Sequence, residues 1–302
     1  NKYPISLFSR IKAKSHAYLF IYYYLYKNAK KFDYICIGTW DYKFLDRIAR
    51  FFGFKGKIIY QFHELEFEKL KYCRKADYCV VPEENRLWIT YFLGKLVRKP
   101  LLLPNIPFLP LGDFNQIPRE LLELRNNGRK IILYQGLINF EKRCINELLE
   151  AISFLPESIA LVIMPMPSTD YSLLHQLRER IDVMNLSPTV FLFPSHFTPF
   201  HLNYIKYADV GIGLYRPTTL NQIYAAPNRL FEFTKFSIPG ILPDFPAFKA
   251  LSALYKNGII TVNPESSKDI ADSILGIFDN DKLNNAREQA KLFFEENGNY
   301  EA

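Results

Sequence analysis

The sequence predicts an α/β protein with two doubly wound, Rossmann-like parallel sheets. Three observations carry this reading. Short runs that are apolar throughout alternate with helix-periodic stretches, and a proline-rich stretch divides the chain. The length, 302 residues, exceeds one ordinary core and suits two domains of about 150 residues.

The second half shows the alternation most clearly. Apolar runs lie at 131–134, 160–164, 190–193, 210–214, 240–242 and 259–262. Runs without polar alternation read as strands buried on both faces of a parallel sheet. Between the first two, Cys144, Leu148, Leu149, Ile152 and Leu155 recur at helical spacing. Leu173, Leu174, Leu177, Ile181 and Met184 do the same before the third run, and Ile270, Ile274 and Ile277 after the last. Strand–helix–strand repeated this often implies a doubly wound sheet.

The first half has the same grammar in shorter form, with runs at 34–37, 57–60, 78–81 and 101–103 behind a helix-like stretch at 5–31. Four strands are few for such a domain, so it reads as incomplete, with strands expected upstream of Asn1. No secretory pattern opens the chain. Pro100, Pro104, Pro107, Pro110 and Pro118 mark a linker. The expected domains are therefore 1–112 (N-terminal, partial) and 113–280, with a helical tail at 281–302 packing back on the first. Two such domains leave a cleft where open α/β sheets bind ligands.

Composition sets the outer limits. Hydrophobic residues make up 49% and charged residues 23%, which excludes a disordered or collagenous chain. No apolar run approaches the roughly 18–20 residues of a membrane span, the nearest being the tyrosine-rich stretch 17–26. Four scattered cysteines (Cys36, Cys73, Cys79, Cys144) form no C-x-x-C pair, which argues against zinc fingers or a disulfide framework and points to a reducing, cytoplasmic setting. Residues 1–112 carry 20 Lys and Arg against 9 Asp and Glu, a balance of +11, whereas residues 113–302 carry 18 against 22, a balance of −4. Arg10, Lys12, Lys14, Lys27, Lys30 and Lys31 flank the aromatic band of the first helix. That face suits anionic lipid headgroups at the inner side of a membrane; the alternative is a solvated helix face beside a core stripe. No nucleic-acid-binding signature is present.

The segment 221–245, NQIYAAPNRLFEFTKFSIPGILPDF, carries the most chemistry. Pro227 suits the first turn of a helix, which places Asn228 and Arg229 beside free backbone N–H groups and the positive end of the helix dipole. Such a site takes phosphate. Glu232 follows Asn228 by four residues on the same face, and a carboxylate there can accept two hydrogen bonds from a ribose diol. A phosphate end and a diol end together describe a nucleotide.

This segment resembles the donor-site signature of GT-B glycosyltransferases, family 4 in particular, in its S-P-N-K-x-x-E-[YF] variant. IILYQG at 131–136 with Glu141, Lys142 and Arg143 resembles the family's first C-domain strand and basic loop. Ala208-Asp209-Val210-Gly211, Phe62-His63-Glu64-Leu65, Ala76-Asp77 and Leu103-Pro104-Asn105 resemble further family segments in the same order. The resemblance implies transfer of a sugar from a nucleotide-diphosphate donor to a glycan or lipid-linked acceptor, with retention at the anomeric carbon and no cofactor or obligatory metal. No D-x-D metal-chelating motif is present. By position, Arg229 and Arg143 or Lys142 would hold the pyrophosphate beside Gly136, Asn228 would lie at the helix start, and Glu232 would bind ribose. His63 would be the catalytic-side contact near the reacting centre. The family's habits place such an enzyme peripherally at the cytoplasmic face of a membrane, in surface polysaccharide or glycolipid synthesis.

The sequence departs from the family at two places. Tyr224 stands where the first glutamate of E-x7-E is usual, within the donor-binding set, and Leu137 replaces the arginine after the strand's glycine. These departures keep a non-catalytic nucleotide-sugar-binding module in view, with a nucleotide-sugar epimerase of the same architecture as another alternative. His196 and His201 read as aromatic packing residues, with a place near the base as the alternative. Gly211 and Gly213 lack the third glycine of a dinucleotide fingerprint.

Overall fold

The computed structural model describes residues 7–38, 45–107, 114, 116–225 and 228–298. The chain divides into two compact units, Asn1–Pro104 and Asn105–Ala302. The division falls inside the proline-rich stretch, earlier than the expected boundary at 112/113, and both of those residues lie outside the described ones.

The first unit runs α1(Leu7–Asn28), β1(Tyr34–Gly38), α2(Leu45–Phe51), β2(Lys57–Gln61), α3(Leu70–Cys73), β3(Tyr78–Val81), α4(Glu84–Gly94) and β4(Leu101–Leu102). Its four strands pair in parallel in the order β1-β2-β3-β4. Each expected run is a strand. Asp77 ties two of them at their starts: its carboxylate accepts from the Ile58 N–H at 2.8 Å and from Lys57 Nζ at 3.3 Å. α4 starts where the Glu83 side chain accepts from the N–H groups of Asn85 and Arg86, satisfying two donors that a helix start leaves open. The described part of α1 exposes Leu19, Phe20, Tyr23 and Tyr26, while Leu25 is buried.

The second unit runs α5(Arg119–Asn126), β5(Lys130–Gly136), α6(Ile145–Ser153), β6(Ile159–Pro165), α7(Tyr171–Val183), β7(Val190–Leu192), α8(Leu202–Lys206), β8(Val210–Ile212), α9(Leu220–Ile223), α10(Asn228–Lys235), β9(Gly240–Pro243), α11(Pro246–Leu254), β10(Ile259–Val262), α12(Ser267–Ile277) and α13(Asn280–Asn297). All six strands are parallel, in the order β10-β9-β8-β5-β6-β7. Counted within the unit this is 6-5-4-1-2-3, the doubly wound order that reverses between its first and fourth strands.

Alternation of side chains explains the wholly apolar runs. Ile132, Tyr134, Leu161 and Ile163 pack on one face with Leu148 and Ile152 of α6 and Ile270 and Ile274 of α12. Their neighbours Ile131, Leu133, Ala160 and Val162 pack on the other with Leu121 of α5, Leu202 and Ile205 of α8 and Phe233 of α10. Asp209 repeats the part of Asp77: its Oδ2 accepts from the Ile131 N–H at 2.8 Å, and its Oδ1 meets Arg125 and Arg287. Both Ala-Asp motifs therefore fasten strand starts, at the sheet edge opposite the strand carboxyl ends. The tail helix α13 packs against α10 and α12, with Phe293 stacked on Phe231 at 6.1 Å.

Candidate functional site

The reversal of winding lies between β5 and β8, so the crevice beyond their carboxyl ends is where such a sheet takes a ligand. Gly136 ends β5, and Gly213 follows β8. α10 crosses these strands on glycines. A Cβ on Gly211 would fall 2.4 Å from the Phe233 ring, so only glycine lets that fully buried ring lie on the strand. Arg229 sits one turn earlier, above the strand ends. A Cβ on Gly136 would fall 2.0 Å from Arg229 Nη2, and one on Gly213 would lie 4.0 Å from Nη1. Gly136 also has φ +153°, a conformation that L side chains rarely adopt. The G-x-G at 211–213 is thus the seat of α10.

A second guanidinium joins the first. Arg143 stacks on Tyr215 with its Cζ 4.0 Å from the ring centroid, and its Nη1 is buried without a hydrogen-bond partner. Arg229 Cζ lies 6.0 Å from the ring of Tyr134, whose hydroxyl donates to the Leu137 carbonyl at 2.9 Å. Complete burial raises the Tyr134 phenol above its ordinary pKa, and the two arginines, Arg229 first and Arg143 next, pull it back down. Both cations therefore act electrostatically on one hydroxyl. Among the described residues neither is paired with a carboxylate. Two guanidinium groups without a carboxylate partner among the described residues can hold an anion, and their planar forks suit phosphate oxygens.

The loop carrying Lys142 and Arg143 is braced from within. Asn139 Oδ1 accepts from the N–H groups of Glu141 and Lys142 at 3.0 and 2.7 Å. The Arg216 N–H donates to the Lys142 carbonyl at 3.1 Å, while its guanidinium bridges Glu147 of α6 and Glu265. The hydrogen bond it donates to Glu147 holds the Arg216 guanidinium pKa above its usual value. Lys142 itself is exposed.

Glu232 is partly buried and meets His201 at the start of α8, with Nε2 3.4 Å from Oε1. His201 thus departs from the packing role expected for it, because its ring edge finds a carboxylate; His196 does pack, stacked on Tyr204 at 4.8 Å. Asn228 is exposed at the first position of α10, and Pro227 lies outside the described residues. Tyr224 is half-buried, and its N–H caps α9 by donating to the Leu220 carbonyl at 2.9 Å. In the first unit, His63 follows β2 at its carboxyl end. Its carbonyl accepts from Arg86, which is buried beside Glu64 and Glu83. Burial lowers the Arg86 pKa, and the two glutamates oppose that shift.

No family model matches the sequence, and no curated protein is significantly similar to it. Solved structures do match. A glycosyltransferase from Rickettsia africae superposes with a TM-score of 0.74 at 14% identity, covering 100% of this chain and 80% of that one. Anabaena HepE, in complex with UDP and glucose, gives 0.69 at 12% identity over 90% of this chain and 75% of that one. Sucrose-phosphate synthase from Thermosynechococcus elongatus gives 0.65 at 16% identity over 91% and 73%. The fold is GT-B.

Within that fold the sequence located Gly136, Arg143, Arg229 and Glu232 in one unit, and the structure gathers the first three at the strand ends. It missed Tyr134 and Tyr215, which read as ordinary core, and Arg216, whose partners are 49 and 69 residues away in the chain. His201 carried a signal only in its helix-start position.

Proposed function

We propose that this chain is a glycosyltransferase that moves a sugar from a nucleotide-diphosphate donor to an acceptor hydroxyl with retention of anomeric configuration. The observation that carries the reading is Arg229 lying over Gly136 at the β5–β8 crevice, with Arg143 nearby and no carboxylate on either among the described residues. The solved neighbour in complex with UDP and glucose supports a nucleotide-sugar donor.

In the reaction the bond from the anomeric carbon to the diphosphate breaks as the acceptor oxygen bonds that carbon on the same face, its proton passing to the departing diphosphate. Negative charge grows on the departing diphosphate. Arg229, Arg143 and the N–H groups opening α10 are fixed in place before that charge develops, which lowers the barrier without reorganisation. These cations supply charge of the kind a metal ion would otherwise bring, so the donor is held without one. Glu232 accepts hydrogen bonds from the ribose diol, and Tyr224 and Asn228 border the donor.

The acceptor side of the proposal is a glycan or lipid-linked hydroxyl at the cytoplasmic face of a membrane. The exposed Phe20, Tyr23 and Tyr26 on α1, with Lys27, Lys30 and Lys31 beside them, support peripheral contact with anionic lipid. No helix among the described residues is long and apolar enough to cross a membrane.

A thermal-shift screen with UDP, GDP, CMP and dTDP tests the donor site, since a ligand that binds only the folded state raises its melting temperature. At least one nucleoside diphosphate raises it, and Arg229→Ala abolishes the rise. No shift with any of the four contradicts the proposal. Turnover of nucleotide sugars by wild type, absent in Glu232→Ala, separates an enzyme from a binding module.

A further inference from the structure

Glu232 does not project alone. His201 lies against it with a side chain 5% exposed, while that of Glu232 is 14% exposed. The Nδ1 of His201 is buried and has no hydrogen-bond partner. A proton there would leave a buried N–H unmet, which costs more than an unused lone pair on a neutral ring nitrogen. Nε2 therefore carries the donated proton, toward Glu232 Oε1 at the long end of hydrogen-bond range.

The seat of this histidine is rigid. Leu202, Tyr204 and Ile205 anchor α8 in the core, and Phe233, the residue after Glu232, is locked on Gly211. Two packed helices thus meet at this polar contact, and among the described residues Oε2 of Glu232 has no protein donor.

We infer that His201 is a positioning residue for nucleotide recognition: it fixes the Glu232 carboxylate through Oε1 and leaves Oε2 presented to the pentose diol. This rests on the proposed role of Glu232 as the ribose contact. Without His201 the carboxylate swings among rotamers, and the diol must pay the entropy of ordering it. The phosphate end, held by Arg229 and Arg143, is untouched.

Calorimetric titration of the full chain with UDP and with 2′,3′-dideoxyuridine diphosphate tests this. Wild type binds UDP tighter than the dideoxy compound by about tenfold or more, as hydrogen bonds to a charged group provide. His201→Phe, which keeps a ring and removes the donor, brings that ratio to within about threefold of one and leaves dideoxy affinity unchanged. His201→Gln, which keeps an N–H donor, retains most of the ratio. Should His201→Phe fail to fold, the same ratio is read on His201→Asn, whose shorter side chain does not span the gap. A wild-type ratio in the loss variant overturns the inference, and so does an equal loss of both ligands. A wild type that binds both ligands alike overturns the ribose reading of Glu232 together with it; where wild type binds GDP and not UDP, the same comparison is made with GDP and its 2′,3′-dideoxy analogue.

Discussion

The guanidinium of Arg229 lies across the backbone of Gly136, so closely that a Cβ on the glycine would fall 2.0 Å from Nη2. A helix from one side of the sheet thereby delivers a cation to the end of the unit's first strand. Gly136 serves twice, by giving room and by adopting φ +153°.

Gly136→Ala removes both services. The methyl displaces the Arg229 guanidinium, and UDP affinity falls by about tenfold or more, the cost of one charge-assisted hydrogen bond. At φ +153° an alanine is also strained, so the melting temperature falls together with the affinity, and binding is read at a temperature where the variant is folded. Calorimetry alongside a thermal melt checks both halves.

The seat of α10 shows itself in stability. Gly211→Ala drives a methyl to 2.4 Å from the Phe233 ring, an overpacking that costs about 1–3 kcal/mol. Phe233→Ala empties the same place and costs about 3–5 kcal/mol. Urea unfolding of each variant reads these values; stability equal to wild type in both contradicts the described packing.

Asp77 links the first unit to pH. The backbone N–H of Ile58, then Lys57 and Arg50, hold its carboxyl below the usual carboxylate pKa. A lowered folded-state pKa means the stabilisation is present above the unfolded value, about 3.9, and is lost as pH falls through the folded one. Asp77→Asn lacks that titration. In urea melts the wild type loses more stability than the variant as pH drops below about 4; parallel losses contradict the assignment.

Much of this architecture is readable in the chain because buried parallel strands leave wholly apolar runs, and all ten runs became strands. The placement of Arg229 and Glu232 in the first turns of α10 was readable because Pro227 marks a helix start. What escaped the sequence depends on long-range pairing. Arg216 braces the basic loop through Glu147 and Glu265, which no local spacing relates. His201 joins Glu232 only because α8 and α10 pack together. Gly211 and Gly213 looked like half a dinucleotide motif, yet they exist to let Phe233 and Arg229 approach the strand.

Arg143→Ala distinguishes a stacked structural arginine from a phosphate contact. Its ring partner Tyr215 keeps its stacking with Phe248, so the fold is retained while UDP binding weakens by about tenfold or more. Uridine, lacking phosphates, binds wild type and variant alike.

The most direct measurement is the affinity of UDP against that of uridine, by calorimetry, for wild type and Arg229→Ala. Wild type prefers UDP by about a hundredfold, as two charge-assisted phosphate contacts provide, and the variant loses about tenfold or more of that preference with uridine unchanged. Equal affinity of wild type for the two ligands, or a preference that survives the loss of Arg229, contradicts a diphosphate site at the β5–β8 crevice.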